Sequence, residues 1–207
     1  VQKDLEILGY SHYSKIKLVT LQNTLLGRTF SGTSTSFTLD SRPFSLLLQF
    51  WGIPKGDKTI TPYEVPLFIR KGTKYVKREF LRALFGCDAT KPRWKNLNFE
   101  ALSLSQNKAA SLSKEMLRYY DELSDLFSEF SIATYVDIQN KGEIRQRDGV
   151  QVLSFYLIIR PNNRNLLKFF SSVGYAYEDY KIQLNRISAE YLRHKVHMIE
   201  MRQEKAK

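Results

Sequence analysis

"VKREFLRALFGCDAT", Val76 to Thr90, is the stretch on which the reading of this chain turns. Phe80, Leu81, Leu84 and Phe85 recur at helical spacing, so the stretch predicts a helix. Its last turn is Gly86, Cys87, Asp88 and Ala89. Bulky side chains give way to small ones there. An acid then sits where the helix dipole concentrates negative charge, which is unfavourable unless something positive lies beside it. Ala83, Gly86 and Cys87, at i, i+3 and i+4, make one face small, and small faces let two helix backbones approach closely. Leu81, Leu84 and Phe85 remain for the core. A twin helix packed on the small face brings a second carboxylate near Asp88, and two carboxylates repel unless a divalent cation neutralises them. Carboxylate and carbonyl oxygens suit Mg2+. A metal shared by two acids can clamp the attacking and leaving oxygens of a phosphodiester. The alternative is that Asp88 simply opens the turn "DATKP", as Asp often does.

The totals agree with a globular chain. Its 207 residues are 43% apolar and 13% aromatic, enough for one substantial core or two small, closely packed subdomains. The net charge is +11 and the isoelectric point about 9.6, which points to a polyanion, nucleic acid ahead of a membrane surface. The single cysteine, Cys87, excludes an internal disulfide and a multi-cysteine zinc site, and fits a reducing cytoplasm. The longest apolar run, "VLSFYLIIR", is strand-sized. "VQKDLEILGY" lacks the shape of a signal peptide.

Along the chain, residues 3–26 read as a helix ending at Gly27. "RTFSG" and "TSFTLDS" alternate and predict two short strands of a hairpin. "SRPFSLLLQFWG" predicts a short helix capped by Ser41, with Pro43 in its first turn. "IPKGDKTITPYEVP" is a loop with three prolines. After the 76–90 helix, "NFEALSLSQNK" is strand-like and "SLSKEMLRYYDELSDLFSEFS" is an amphipathic helix with Met116, Leu117, Tyr120, Leu123, Phe127 and Phe130 on one stripe. "ATYVDIQ" and "VQVLSFYLIIR" predict strands joined through "NKGEIRQRDG", and "PNNRNLLKFFSSVGY" a short helix. Helix, strand, strand, short helix thus occurs twice, over 3–52 and 111–174, a weak internal repeat.

"LRALFGCDA", residues 81–89, resembles the motif of the LAGLIDADG homing endonucleases, with Asp88 at the metal-binding acid. Leu81, Leu84 and Asp88 agree with the motif. Ala83 and Ala89 replace glycines, and Gly86 replaces an earlier acid. "GIPKGDKT…VPLFIRKGTKYVKREFLRALFGCDA" is similar to the approach to the second motif in archaeal intein-encoded members. "LSLSQNKAASL…LSEFSI" and "LLKFFSSVGYAYEDYK…AEYLRHK" resemble the segments that follow it, so the likeness extends over about residues 3–195. It implies an α+β fold: a pseudo-two-fold pair of αββαββα subdomains whose motif helices meet at the interface and whose sheets form a saddle over the DNA major groove. Strands suit that task. The expected domains are 1–70, an incomplete first subdomain; 71–180, the second; and 181–207, a helical extension. The first motif helix with its own acid is not found, so three explanations stand: a truncated or split chain whose missing segment or partner carries it, a homodimer through the single motif, or a decayed enzyme.

The resemblance also implies Mg2+ held by Asp88 and Ala89, and a catalytic lysine near each acid, Lys58 of "PKGDKT" and Lys181 of "AYEDYKI". A cation beside a phosphate in transfer has a clear use; a solvated loop lysine is the alternative. Candidate contacts to double-stranded DNA are Lys91, Arg93 and Lys95 around Trp94, Lys141, Arg145 and Arg147 in the basic "NKGEIRQR" turn, and Arg28, Ser103, Ser105, Gln106, Lys108, Tyr135 and Gln139 on strands. Each is otherwise a solvated surface residue. His194 and His197, at i, i+3, lack a third ligand nearby for a metal. No P-loop, dinucleotide fingerprint or Ser–His–Asp set is present. A chain starting at Val1 and ending at Lys207 lacks the terminal residues of protein splicing. The sequence therefore predicts a cytoplasmic, site-specific DNA endonuclease with no membrane contact. Its alternatives are a non-cutting DNA-binding remnant and a structural remnant.

Overall fold

The computed structural model describes residues 2–10, 14–25 and 28–205, without the side chains at 14, 19, 21–25, 28, 30, 34, 35, 37 and 140–142. The fold is α+β with small antiparallel sheets. It divides into two units, Val1–Phe50 and Trp51–Lys207.

The first unit runs α1 (Gln2–Ile7), β1 (Ser14–Leu25), β2 (Arg28–Leu39) and α2 (Arg42–Phe50). The strands pair antiparallel without a break, from Ser14 opposite Leu39 to Leu25 opposite Arg28. Two expectations are corrected here. Residues 3–26 are not one helix: α1 ends early, Gly9 takes a φ of 75°, and Tyr10 N–H closes the turn on Leu5 O at 2.8 Å. Beyond it, Ile16, Leu18 and Thr20 alternate with Lys15 and Lys17, a period-two signal that a partner strand of equal length converts into a ladder. The expected two-strand hairpin over 28–41 is instead the single strand β2. Gly27 lies outside the described residues. The α2 cap is as read, with Ser41 Oγ accepting from Phe44 N–H at 3.4 Å. Among its described side chains this unit buries only Leu5 and Ser41, so its own core is thin.

The second unit contains α3 (Leu67–Arg70), α4 (Lys74–Asp88), β3 (Trp94–Lys95), β4 (Asn98–Phe99), β5 (Leu102–Ala109), α5 (Ser113–Ser128), β6 (Thr134–Ile144), β7 (Gln151–Ile159), α6 (Asn163–Ser172) and α7 (Asp179–Lys205). β7 is central in the order β5-β7-β6, antiparallel to both neighbours. Alternation along the strands sorts the two faces. Leu102, Leu104, Phe155, Leu157 and Ile159 are buried against α4, α5 and α6, where Leu81, Phe85, Tyr120, Leu123, Phe127 and Phe169 complete the core. The buried Tyr120 hydroxyl donates to the carbonyls of Leu104 and Phe155, at 3.2 and 3.1 Å. Residues 51–70 belong with this unit because Val65 and Ile69 are buried in its core and Val65 N–H donates to Glu122 at 2.8 Å. α7 is part of it as well, burying Ser188, Ala189 and Leu192.

α4 is the helix expected over 76–90, capped by Thr73, whose Oγ1 accepts from Val76 N–H at 3.4 Å. At Gly86 its small face meets a neighbour other than the expected one. Gly86 is buried, and a Cβ there would stand 1.8 Å from Ala176 O. Ala176 N–H donates to Arg82 O at 3.0 Å. Gly86 thus admits the chain's own 175–176 backbone instead of a twin helix, while Cys87 stays exposed. Gly86→Ala therefore costs about 3 kcal/mol or more in urea unfolding, because the neighbour is backbone and cannot swing aside. A loss below about 1 kcal/mol would show that residues 174–177 give way freely.

Candidate active site

The C-terminus of α4 is held from several directions. Ala89, in extended conformation, bridges to Leu104. Thr90 N–H donates to Ser103 O at 2.9 Å and Ser103 N–H to Thr90 Oγ1 at 3.0 Å. The buried Tyr175 donates its hydroxyl to Thr90 O at 3.0 Å. The Lys181 ammonium donates to the carbonyls of Gly86 at 2.7 Å, Ala89 at 2.8 Å and Phe85 at 3.5 Å. This is the positive charge that an acid at a helix C-terminus needs nearby. It also alters two expectations. Lys181 is engaged as a helix cap and does not line the pocket beside Asp88. The Ala89 carbonyl, expected on a metal, already accepts from Lys181.

Asp88 itself is exposed and makes no hydrogen bond or ion pair with a described residue. It lines a pocket with Lys58, Tyr63 and Gln106, walled by Phe80 and Leu84 of the same helix face. Tyr63 Oη donates to Gln106 Oε1 at 2.5 Å. Burial first, then the charge of Asp88, pushes the Tyr63 phenol up to about 12, so it stays a donor at neutral pH. Lys58 is exposed into this pocket while its carbonyl is fixed from below by Lys108, at 2.5 Å. Sequence reasoning missed Tyr63. Its signal was slight: one aromatic residue in a proline-rich loop.

Strand parity sorts the expected groove readers. Ser103, Ser105, Tyr135 and Gln139 share the open face of the sheet, with Asn107, Asp137, Ser154 and Tyr156 beside them in register. Gln106 and Lys108 have the opposite parity. Gln106 lies in the Asp88 pocket. Lys108 is 1% exposed, donates to Lys58 O and Thr61 O, and lies 3.6 Å from the centre of the Tyr63 ring; it is not a DNA-facing residue. Counting by twos from Ser103 would have found Asn107 in its place. Arg145 and Arg147 are also engaged: both pair with Asp57, Arg145 at 2.7 Å, and both with Asp148, whose carboxyl they hold below its ordinary range, the Arg145 hydrogen bond foremost. Lys91 sits over the Tyr180 ring at 4.8 Å, whereas Arg93 and Lys95 are exposed. The side chains of Arg28 and Lys141 lie outside the described residues. His194 pairs with Glu190 at 2.9 Å.

For Mg2+, the donor set fits half of a shared site. Mg2+ retains several waters and needs one or two carboxylates, and Asp88 offers one that is free. The other acid of the pocket, Glu64, is engaged by Arg70 and Arg118. Among the described residues no cluster of three metal-ligating side chains occurs, and no described helix is long and apolar enough to cross a membrane.

No family profile matches the chain, and no solved structure matches it. It is 37% identical over 194 residues to the replication factor C small subunit of Methanocaldococcus jannaschii, a match covering 93% of this chain and 10% of that protein. It is 28% identical over 208 residues to the tRNA-splicing ligase RtcB of Methanopyrus kandleri, covering 100% and 20%. It is 32% identical over 203 residues to the DNA-directed RNA polymerase subunit Rpo1N of M. jannaschii, covering 93% and 14%. The chain thus spans a fifth or less of these three relatives.

Two measurements check the electrostatics. Lys181→Met orphans the last carbonyls of α4, and its unfolding free energy falls by about 2 kcal/mol. Lys108 is pushed down to about 8, by burial first, with Glu115 pulling it up and Lys58 adding to the fall. The folded chain therefore releases this proton near pH 8, while the unfolded chain keeps it to about 10.4. Between those values the unfolded state binds more protons and stability rises with pH. Relative to Lys108→Met, the parent chain gains stability between about pH 8 and about pH 9.5, read as the difference between their urea midpoints. A flat difference would contradict the burial of a charged amine.

Proposed function

We propose that this chain is the DNA-cleaving module of a LAGLIDADG-type homing endonuclease, of the archaeal intein-encoded kind, with Asp88 as its metal-holding acid. The observation that carries the reading is the Asp88 pocket. A free carboxylate at a helix C-terminus stands there with the Lys58 ammonium and the Tyr63–Gln106 pair.

The comparisons support an inserted module. The same stretch recurs, over 93–100% of this chain, inside three proteins whose names describe unrelated activities. A segment common to a replication factor, a ligase and a polymerase subunit is not what makes any of them work, so those activities are not carried to this chain. The repeated helix–strand–strand–helix order, α1-β1-β2-α2 and α5-β6-β7-α6, suits a pseudo-two-fold pair. In that arrangement a symmetric counterpart supplies the second acid, whether from a preceding segment, a split partner or a second copy.

The roles follow from the chemistry. Asp88 holds Mg2+, which when bound supplies positive charge beside the scissile phosphate and eases deprotonation of water. Lys58 meets the phosphate oxygens as negative charge builds on them. Gln106, its Oε1 held by Tyr63, keeps its amide N–H groups for a water or phosphate oxygen. Lys181 acts through the helix terminus by neutralising it. The open sheet face reads bases, and the exposed cations of the 90–98 turn contact phosphates.

A plasmid library with randomised inserts, incubated with the chain and Mg2+, tests this. Linear product is expected, and Asp88→Asn lowers its rate by about two orders of magnitude or more. Binding that weakens steeply with salt, with no cleavage by either form, would support the non-cutting remnant, for which the lone free carboxylate already speaks. No binding even at low salt would sink both.

A further inference from the structure

The loop at residues 53–66 carries Lys58 and Tyr63 but has no helix or strand of its own. Its backbone carbonyls therefore need outside partners. Three are supplied from one place, the end of β5: Lys108 Nζ donates to Lys58 O at 2.5 Å and Thr61 O at 2.8 Å, and Ala109 N–H donates to Thr59 O at 2.9 Å. The Asp57 side chain ties the near end of the loop, accepting from Thr59 N–H at 2.9 Å and from Arg145 at 2.7 Å.

An ammonium has three N–H donors and no acceptor. At Lys108 two go to the carbonyls, and the face of the Tyr63 ring, 3.6 Å away, takes the remaining positive charge. No donor is left for a phosphate. A neutral residue of the same length could fill the volume but would leave two part-buried carbonyls without these donors. Two of the three residues that Lys108 engages line the Asp88 pocket: it fixes the backbone from which Lys58 extends, and it seats the ring whose hydroxyl holds Gln106.

We propose that Lys108 is the positioning residue of this site, its buried ammonium fixing the 53–66 loop so that Lys58 and Tyr63 line the pocket with Asp88. The functional half of this inference rests on the endonuclease reading; the structural half does not.

The test uses the full chain and two scales. Mass spectrometry follows trypsin cleavage of the Lys58–Thr59 bond, which is expected to run about tenfold faster in Lys108→Met as the loop opens locally. Single-turnover cleavage of a target plasmid with Mg2+ is expected to slow about tenfold, while DNA affinity changes less than about threefold. In a Lys58→Met background, adding Lys108→Met slows cleavage by less than about twofold, because the two act as one unit. Unchanged proteolysis at Lys58, or rate losses that multiply, would overturn the proposal. If the parent chain cuts no DNA, the reading of this chain as a nuclease that cuts by itself or as a second copy fails, and the proteolysis result alone decides whether Lys108 holds the loop. Should circular dichroism show Lys108→Met unfolded, Lys108→Gln, which keeps one neutral donor group, is read on the same scales.

Discussion

The Lys181 ammonium, seated on the carbonyls of Gly86 and Ala89, is the contact on which the candidate site depends. The last carbonyls of a helix have no partner within it, and here the helix also ends in a carboxylate. Without a cation at that end, the terminus would combine an unsatisfied backbone with two sources of negative potential. With Lys181 in place the terminus is stable, and Asp88 can remain unpaired. Gly86 makes this possible: only without a Cβ can the 175–176 backbone lie on α4, and that backbone leads directly into α7, which carries Lys181.

Lys108 repeats the device on the other side of the pocket. Each lysine comes from a regular element and captures backbone carbonyls that their own element leaves without a partner, at the end of α4 for Lys181 and in the 53–66 loop for Lys108. Where Asp or Asn would cap N–H groups, lysine is the residue that can gather several carbonyls at once. Part of the chain's positive charge is therefore internal. Arg145 and Arg147, paired with Asp57 and Asp148, belong to the same scaffold. A large net charge alone could not show this, because a lysine that holds backbone and a lysine that meets phosphate look alike in a sequence.

The second unit was largely legible. Apolar stripes on α4 and α5 and alternation on β5 and β7 are strong periodic signals, and the pairing of Asp88 with Lys58 in one pocket was anticipated. The first unit was misread because "SKIKLVTLQNTL" contains enough Leu, Gln and Lys to suit a helix, and only the partner strand, far along the chain, decides against it. Gln106 and Lys108 were misplaced because the strand was treated as a set of residues without parity. At Gly86 the small face of α4 was read correctly as a close approach, but the neighbour there is the 175–176 backbone: residue spacing shows that a backbone comes near and does not show which one. Tyr63 left almost no trace, since its importance arises from Lys108 beneath its ring and Gln106 at its hydroxyl, both more than forty residues away.

The distribution of charge on the second unit bears on how such a chain would meet DNA. The strand residues of the open sheet face, Ser103, Ser105, Asn107, Tyr135, Gln139, Ser154 and Tyr156, are uncharged; Arg160 lies over the Tyr135 ring at 5.6 Å, and Asp137 stands on the edge strand β6, exposed and without an ion pair among the described residues. Exposed cations close to the pocket and to β5 include Lys58 in the 53–66 loop and Arg93 and Lys95 in the short β3–β4 hairpin, while others lie on α4, α5 and α7. Phosphate contacts supply affinity without sequence information, and base edges supply selectivity. An acid on a surface pressed against phosphates would be repelled, whereas within a groove a carboxylate accepts from the amino group of cytosine and rejects bases that offer only acceptors. Under the endonuclease reading, attraction then comes from cations outside the sheet's strands and discrimination from the strands, and the acid on the edge strand β6 is a means of excluding wrong sequences.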